Sequence, residues 1–137
     1  MAQITKNITV SGKRKTAIAK ATIKSGSGIV TVNKVPYEQL DFFRKLTIKE
    51  PIEIAKKVLG KFDFDITVNV SGGGTQGQIS AARLAIGKAL VKFTASDELK
   101  KTFANYDKTL LVADIRRKEA YKPGDSKARS KRQKSFR

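Results

Sequence analysis

The chain has 137 residues, 39% of them hydrophobic, enough for one core and too little for two ordinary domains. It carries 29 Lys and Arg against 12 Asp and Glu, a formal net charge of +17. Cysteine and histidine are both absent, which removes disulfides, thiol nucleophiles, imidazole bases and the commonest zinc sites, and leaves carboxylates and amines as the groups available for chemistry.

The opening residues, MAQITKNITV, contain no apolar stretch long enough for a signal peptide, and the longest wholly apolar run is LLVA at 110–113. A cytoplasmic protein that does not cross a membrane is expected. Residues 8–10, 17–24 and 29–33 are rich in Ile, Val and Thr and are separated by SGKRK and SGSG, a pattern that predicts a strand, a turn and a hairpin. In the second of these, Lys20, Thr22 and Lys24 alternate with Ala19, Ala21 and Ile23, so one face of the sheet is expected to be basic. Pro51 after Glu50 predicts the opening of a helix with Ile52, Ala55 and Leu59 on one stripe and Gly60 at its end. Residues 62–70 alternate strictly, with Phe62, Phe64, Ile66, Val68 and Val70 against Asp63, Asp65, Thr67 and Asn69, the pattern of a half-buried strand.

Two more helices follow. Residues 78–93 place Ile79, Ala82, Ile86, Leu90 and Phe93 on an apolar face with Arg83, Lys88 and Lys92 away from it. Ser96 is placed to cap the next helix, with Asp97 and Glu98 in its first turn and Leu99, Phe103 and Tyr106 inward. LLVADI at 110–115 predicts a last strand. The order β-β-β-α-β-α-α-β is not a regular βα alternation, so an α+β domain is expected, with helices packed on one face of a mixed sheet.

Charge is uneven along the chain. Residues 1–37 hold seven Lys/Arg and no acid, residues 38–115 hold twelve against ten, and residues 116–137 hold ten against two. A nearly neutral middle between two basic ends predicts a folded body that meets a polyanion with one face and one tail. The last twelve residues contain Lys127, Arg129, Lys131, Arg132, Lys134 and Arg137 with no acid, and only Ala128 and Phe136 are apolar. Such a segment buries almost nothing and is expected to stay disordered until a polyanion neutralises it. The expected division is a globular body over 1–115 and an extended basic tail over 116–137, which at about 3.3 Å per residue spans at most roughly 70 Å.

Gly72, Gly74 and Gly77 satisfy G-x-G-x-x-G after a strand and at a helix start. A dinucleotide site is disfavoured, because the pattern lies past the middle of the chain, no second parallel strand follows, and the acid some twenty residues on, Asp97, falls at a helix start. Two readings remain: glycines that permit a tight turn and close packing, or backbone amides at a helix N-terminus that face an RNA phosphate. Gly74 is expected to need either a positive φ or a close RNA approach. SGKRKTA has Arg14 where a phosphate loop has Ser or Thr after its Lys, and it lacks the preceding glycine. Three cations on a turn, Lys13, Arg14 and Lys15, read instead as a phosphate-contacting knuckle. Asp63 and Asp65 have no apolar neighbour on their face and read as a solvated strand face, not an acid/base dyad. The tyrosines form no cluster for base stacking, whereas Phe136 in the tail is placed to stack or wedge.

The segments SGKRKTAIAKATIKSGSGIVTVN, VNVSGGGTQGQISAARLAIGKAL and DIRRKEAYKPGDSKARSKRQKSFR, in that order, resemble the S-nine family of small-subunit ribosomal proteins over almost the whole chain. Residues 12–17, 72–78 with Arg83, 116–119 and Arg137 carry the resemblance. The ending Lys134, Ser135, Phe136, Arg137 is closer to the archaeal and eukaryotic Lys-Ser-Tyr-Arg form than to the bacterial Phe-Ser-Lys-Arg form, so a penultimate lysine contact of the bacterial branch does not carry over to Phe136. The resemblance implies a fold like the second domain of the small-subunit S-five protein. Small-molecule kinases share that fold, and it is the lack of a matched catalytic site that argues against an enzyme. It further implies no cofactor, binding to small-subunit ribosomal RNA in the head, neighbouring ribosomal proteins as partners, and a tail end that reaches the anticodon stem-loop of P-site tRNA. The implied rRNA-binding residues are Lys13, Arg14, Lys15, Gly73, Gly74, Gln78, Arg83, Arg116, Arg117, Lys118, Lys127, Arg129, Lys131 and Arg132, and the implied tRNA contacts are Lys134, Phe136 and Arg137. A DNA-compacting protein and a nucleotide-dependent kinase are the alternatives from other classes.

Overall fold

The computed structural model describes residues 6–121, so the expectations for Lys127, Arg129, Lys131, Arg132, Lys134, Phe136 and Arg137 lie outside the described residues. Strands form where the alternation is strict. β1 (Ile8–Arg14), β2 (Ala17–Ser25), β3 (Val30–Val32), β4 (Val35–Pro36) and β5 (Phe64–Ser71) make one sheet in the order β1-β2-β5-β3-β4. Neighbours are antiparallel except β3 and β5, which run parallel, so the sheet is mixed as expected. The helices are α1 (Phe42–Leu59), which spans the connection toward β5, then α2 (Thr75–Thr94) and α3 (Asp97–Tyr106). The α+β class therefore holds, although the short β4 and the 3-10 turn Tyr37–Gln39 have no counterpart in the sequence expectation.

Side-chain alternation sorts the two faces of the sheet. Ala17, Ala19, Ala21 and Ile23 of β2 are wholly buried, while Ile18, Lys20 and Lys24 face out. Onto the buried face lies α2, packed across β1, β2 and β5. Its contact face is also small, with Ala81, Ala82, Ala85 and Ala89 wholly buried. Small residues on both partners let a helix approach a sheet closely, and Gly12 marks the tightest point: a Cβ there would stand 2.6 Å from the Ala81 carbonyl oxygen and 2.8 Å from the Ala85 nitrogen. Ile48, Ile52 and Ala55 of α1 and Leu99 and Phe103 of α3 complete the same core.

Three expectations need correction. Pro51 does not open α1 but sits inside it, because its ring is itself buried on the stripe with Ile48, Ile52 and Ala55. That burial outweighs the one backbone bond a proline removes. LLVADI forms no strand: Lys108–Leu110 is a 3-10 turn, and the backbone N–H groups of Leu110, Leu111 and Val112 are used inside it. Only Leu110 of that segment is fully buried, and Val112 and Ile115 are exposed. Tyr106, expected inward, is also exposed. By contrast Gly60 ends α1, and Ser96 caps α3 by accepting the Leu99 N–H at 3.3 Å.

Asp65 is not simply solvated. One of its carboxylate oxygens accepts the backbone N–H groups of Ser27, Gly28 and Ile29 at 3.0, 3.2 and 3.1 Å, which fastens the SGSG turn to β5. These bonds, Ile29's foremost, hold its carboxyl below the ordinary carboxylate range. Asp63 does stay exposed, paired with Lys61 at 3.5 Å.

Two outcomes are expected. Gly12→Ala should lower stability by about 1–3 kcal/mol in chemical denaturation, since α2 must shift to admit the methyl group; full retention would mean that α2 can move off β1 without cost. A lowered folded-state pKa stabilises the protein above the unfolded value and loses that effect as pH falls through the folded one. Stability should therefore drop below about pH 4, and Asp65→Asn should flatten that acid limb while leaving the neutral-pH curve parallel to that of the parent protein.

Candidate nucleic-acid interface

β1 and β2 are paired down to Arg14↔Ala17, so the connecting turn is only Lys15 and Thr16. Lys15 takes a positive φ of 54°, the conformation such a short hairpin requires of its first turn residue. The three cations are therefore not all on a turn. Lys13 and Arg14 end β1 and point to opposite faces of the sheet. Lys13 is exposed, whereas Arg14 turns toward Asp114 and pairs with its carboxylate at 3.3 Å. The Arg14 Nη1 atom in this pair is sealed from solvent and makes the ion pair without hydrogen-bond geometry.

The glycine loop leaves β5 at Ser71. Gly72 and Gly73 have φ of 77° and 65°, and a Cβ on either would stand 2.7 Å from the Thr16 carbonyl oxygen or 3.0 Å from the Ala17 nitrogen. They both make the turn and press the loop against the hairpin tip. Of the two expectations for Gly74, the positive φ is not met: its φ is −90°, and the space around its Cβ position is open. It is the N-cap of α2, and no side chain caps the first-turn amides there. Gln78 braces the loop from inside by donating its side-chain N–H to the Gly72 carbonyl at 3.1 Å. No strand follows α2 among the described residues, so the βαβ unit of a dinucleotide site is not formed.

The third segment is the exit from the body. Asp114 accepts from the Arg116 guanidinium, with both oxygens 3.0 Å from Nε and one 2.6 Å from Nη2, and also from the Arg116 backbone N–H at 3.0 Å. The hydrogen bonds from Arg116, helped by the charges of Arg116 and Arg14, hold the Asp114 carboxyl far below the usual carboxylate range. Arg117 folds back onto the carbonyls of Asp114 and Arg116, and Lys118 lies 4.8 Å from the Tyr121 ring centre. Arg14, Lys15, Thr16, Arg116, Arg117 and Lys118 line one groove. The adjoining cleft is lined by Lys13, Arg14, Ser80, Arg83, Asp114 and Arg116 among others. Thus the knuckle, the glycine loop and the exit, far apart in sequence, meet at one end of the sheet.

Arg83 is used differently from the way its motif suggests. Its side chain is only 13% exposed, and its donors go to Glu50 at 2.8 and 2.7 Å, Asp107 at 3.1 Å and the Thr109 hydroxyl at 3.0 Å. It ties α1, α2 and the turn after α3 together beneath the cleft. Burial raises the Asp107 carboxyl, but the hydrogen bonds from Thr109 and Arg83 and the Arg83 charge win and leave it below the ordinary value. The acids that organise the site, Glu50, Asp107 and Asp114, form no motif in the sequence, where their one signal is that they are among the few acids of a basic chain.

The family described as ribosomal protein S9/S16 matches residues 12–137. A small ribosomal subunit protein uS9 of Methanococcus vannielii is 49% identical over 129 residues, covering 92% of this chain and 95% of the relative. One of Methanococcus maripaludis is 48% identical over 129 residues with the same coverage. One of Thermoplasma volcanium is 45% identical over 133 residues, covering 95% and 98%. These relatives are archaeal, in agreement with the archaeal-type ending of the chain.

Gly74→Ala separates folding from binding, because the added methyl group meets no atom of the protein. The variant should melt within a degree or so of the parent and bind RNA less tightly, since the methyl group obstructs approach to the first-turn amides of α2. Arg83→Gln should do the reverse, losing about 1–3 kcal/mol of stability by leaving Glu50 and Asp107 without their shared partner. The salt dependence of RNA binding by that variant should be unchanged, and a lower slope would make Arg83 a direct phosphate contact.

Proposed function

Since the chain belongs to the ribosomal protein S9/S16 family, whose members are structural proteins and not enzymes, we propose that it is a constituent of the small ribosomal subunit that binds small-subunit rRNA in the head. The observation that carries this reading is the convergence of Lys15, the first turn of α2 and Arg116 to Lys118 at one end of the sheet. Cations and uncapped helix amides there offer a phosphate two kinds of partner at once. Phosphate contacts position a protein on RNA without reading sequence. Lys13 and Arg14 flank this site, Gly73, Gly74 and Gln78 shape it, and Arg83 supports it from below.

In this reading the body is residues 1–115 and the basic segment 116–137 runs outward from it. The Arg14–Asp114 ion pair, which ties the chain just before Arg116 to the end of β1, supports this division. Lys127, Arg129, Lys131 and Arg132 continue the rRNA contact, and Lys134, Phe136 and Arg137 meet the anticodon stem-loop of P-site tRNA. What supports the tRNA role is chemical: a P site accepts every elongator tRNA, and Lys and Arg on phosphate serve all of them alike. Neighbouring ribosomal proteins of the head complete the surroundings. The parallel β3–β5 pair within a mixed sheet, covered by helices, supports a likeness to the second domain of the small-subunit S-five protein.

Deletion of Ser135 to Arg137 tests the tRNA role apart from the rRNA role. The truncated protein should sediment with small subunits as the intact protein does. P-site tRNA affinity should fall about tenfold, from the loss of a charge-assisted contact of about 1.5–3 kcal/mol before competition with water and ions. The loss should be similar for different tRNAs. Equal affinity and initiation fidelity with and without these residues would restrict the basic segment to rRNA.

A further inference from the structure

The side of the sheet away from α2 is mostly polar, and its side chains are exposed or half-buried. Thr9, Thr22, Thr67 and Thr31 stand directly opposite one another across β1, β2, β5 and β3. The hydroxyls of Thr9 and Thr22 are 3.2 Å apart. On one side of this threonine row lies the row Ser11, Lys20, Asn69, followed by Lys13, Ile18, Ser71, and on the other lies Lys24 beside Asp65. A shallow groove runs past Ile18, Lys20, Asn69, Val70 and Ser71.

The chemistry of this face selects its occupant. Three lysines, Lys13, Lys20 and Lys24, stand against two carboxylates at one end of the face; one oxygen of Asp65 is already engaged by three backbone amides, and Asp63 is paired with Lys61 at 3.5 Å. The exposed apolar residues here are Ile18, 40% exposed, and Ile29, 55% exposed beside Asp65, at opposite ends of the face with polar rows between them, so a continuous apolar centre of a protein–protein contact is missing. The rows hold no aromatic ring on which an unpaired base could stack. What remains is a lattice of hydroxyl, amide and ammonium groups on strands about 4.8 Å apart, suited to phosphates and 2′-hydroxyls. The face also runs without a break into the interface above, since Lys13 borders the hairpin tip and Ser71 leads into the glycine loop.

We propose that this open face is a second rRNA-binding surface, which holds the sugar–phosphate backbone of an RNA duplex through Lys13, Lys20, Lys24 and the threonine row. It rests on the reading of the chain as an rRNA-binding protein and extends it from Lys13, which already flanks the hairpin tip, to Lys20, Lys24 and the threonine row, which lie outside the basic knuckle and the segment from Arg116 onward. The lysines supply the charge, and the hydroxyls supply preference for RNA over DNA.

The test uses the full chain and a fully paired RNA duplex of about 20 base pairs, long enough for contact across two grooves, with the DNA duplex of the same sequence as a control. Binding is followed by fluorescence anisotropy at several salt concentrations. Lys20→Gln with Lys24→Gln should lower the salt slope by about 0.7–0.9 per lost contact. Thr22→Val with Thr67→Val should keep the slope and narrow the RNA-over-DNA preference. A tip variant, Lys15→Gln with Lys118→Gln, separates the two readings. If the tip variant weakens binding and the face variants do not, the open-face proposal fails and the rRNA reading stands; if no variant weakens binding, both fail. Acetylation of intact small subunits decides the occupant. Lys20 and Lys24 should be protected and become reactive after ribonuclease digestion, whereas protection that survives digestion would assign the face to a protein and overturn the proposal.

Discussion

The approach of α2 to the paired strands β1 and β2 governs where everything else can be. Alanine and glycine line both sides of that contact, so there is little side-chain volume to hold helix and sheet apart. With α2 so low, its N-terminus ends beside the β1–β2 turn, and the loop that feeds it has to pass over Thr16 and Ala17 with no Cβ to spare. The cations of the hairpin and the amides of the helix are thereby brought to one end of the sheet. A larger residue in the alanine layer, far from any polyanion, would act on the interface by lifting the helix away from the turn.

Acidic residues in this basic protein serve as internal braces. Asp65 holds a turn by its backbone amides, Glu50 and Asp107 hold Arg83, and Asp114 holds both Arg14 and Arg116. A carboxylate that grips a guanidinium with both oxygens uses the same donors that would grip a phosphate. Arg116, 79% exposed at its side chain, can exchange one anion for the other, whereas Arg83, 13% exposed, has its donors committed to Glu50, Asp107 and Thr109. Exposure of the guanidinium, and not membership in a basic motif, separates the two.

Much of the sheet was legible because period-two alternation follows directly from strand geometry, as residues 62–70 and the Ala/Lys alternation of β2 illustrate. Local chemistry was also readable where one residue decides, as with Gly60 and Ser96. What escaped depends on tertiary neighbours. Pro51 reads as a helix start until its burial among Ile48, Ile52 and Ala55 is known. The apolar run after Tyr106 reads as a strand, yet the Asp107 side chain accepts the Thr109 N–H and commits the chain to a turn. In the site, the types of residue were correct and the duties of several were not: the left-handed requirement falls on Gly72 and Gly73, and Arg83 and Arg14 are satisfied by acids distant in sequence. No pattern in a single sequence records which acid will meet which arginine.

The strand order β1-β2-β5-β3-β4 also imposes a timetable on folding. β1 with β2, and β3 with β4, are local hairpins that can form as soon as their residues exist. They share no edge. β5 must be inserted between them, antiparallel to one and parallel to the other, after the 18-residue α1 has been made. Until then β2 and β3 each present an unpaired edge, and the alanine layer has no helix over it. A nascent chain that stops short of Phe64 holds two separate hairpins, and the continuous threonine row across the sheet comes into being only with the arrival of β5.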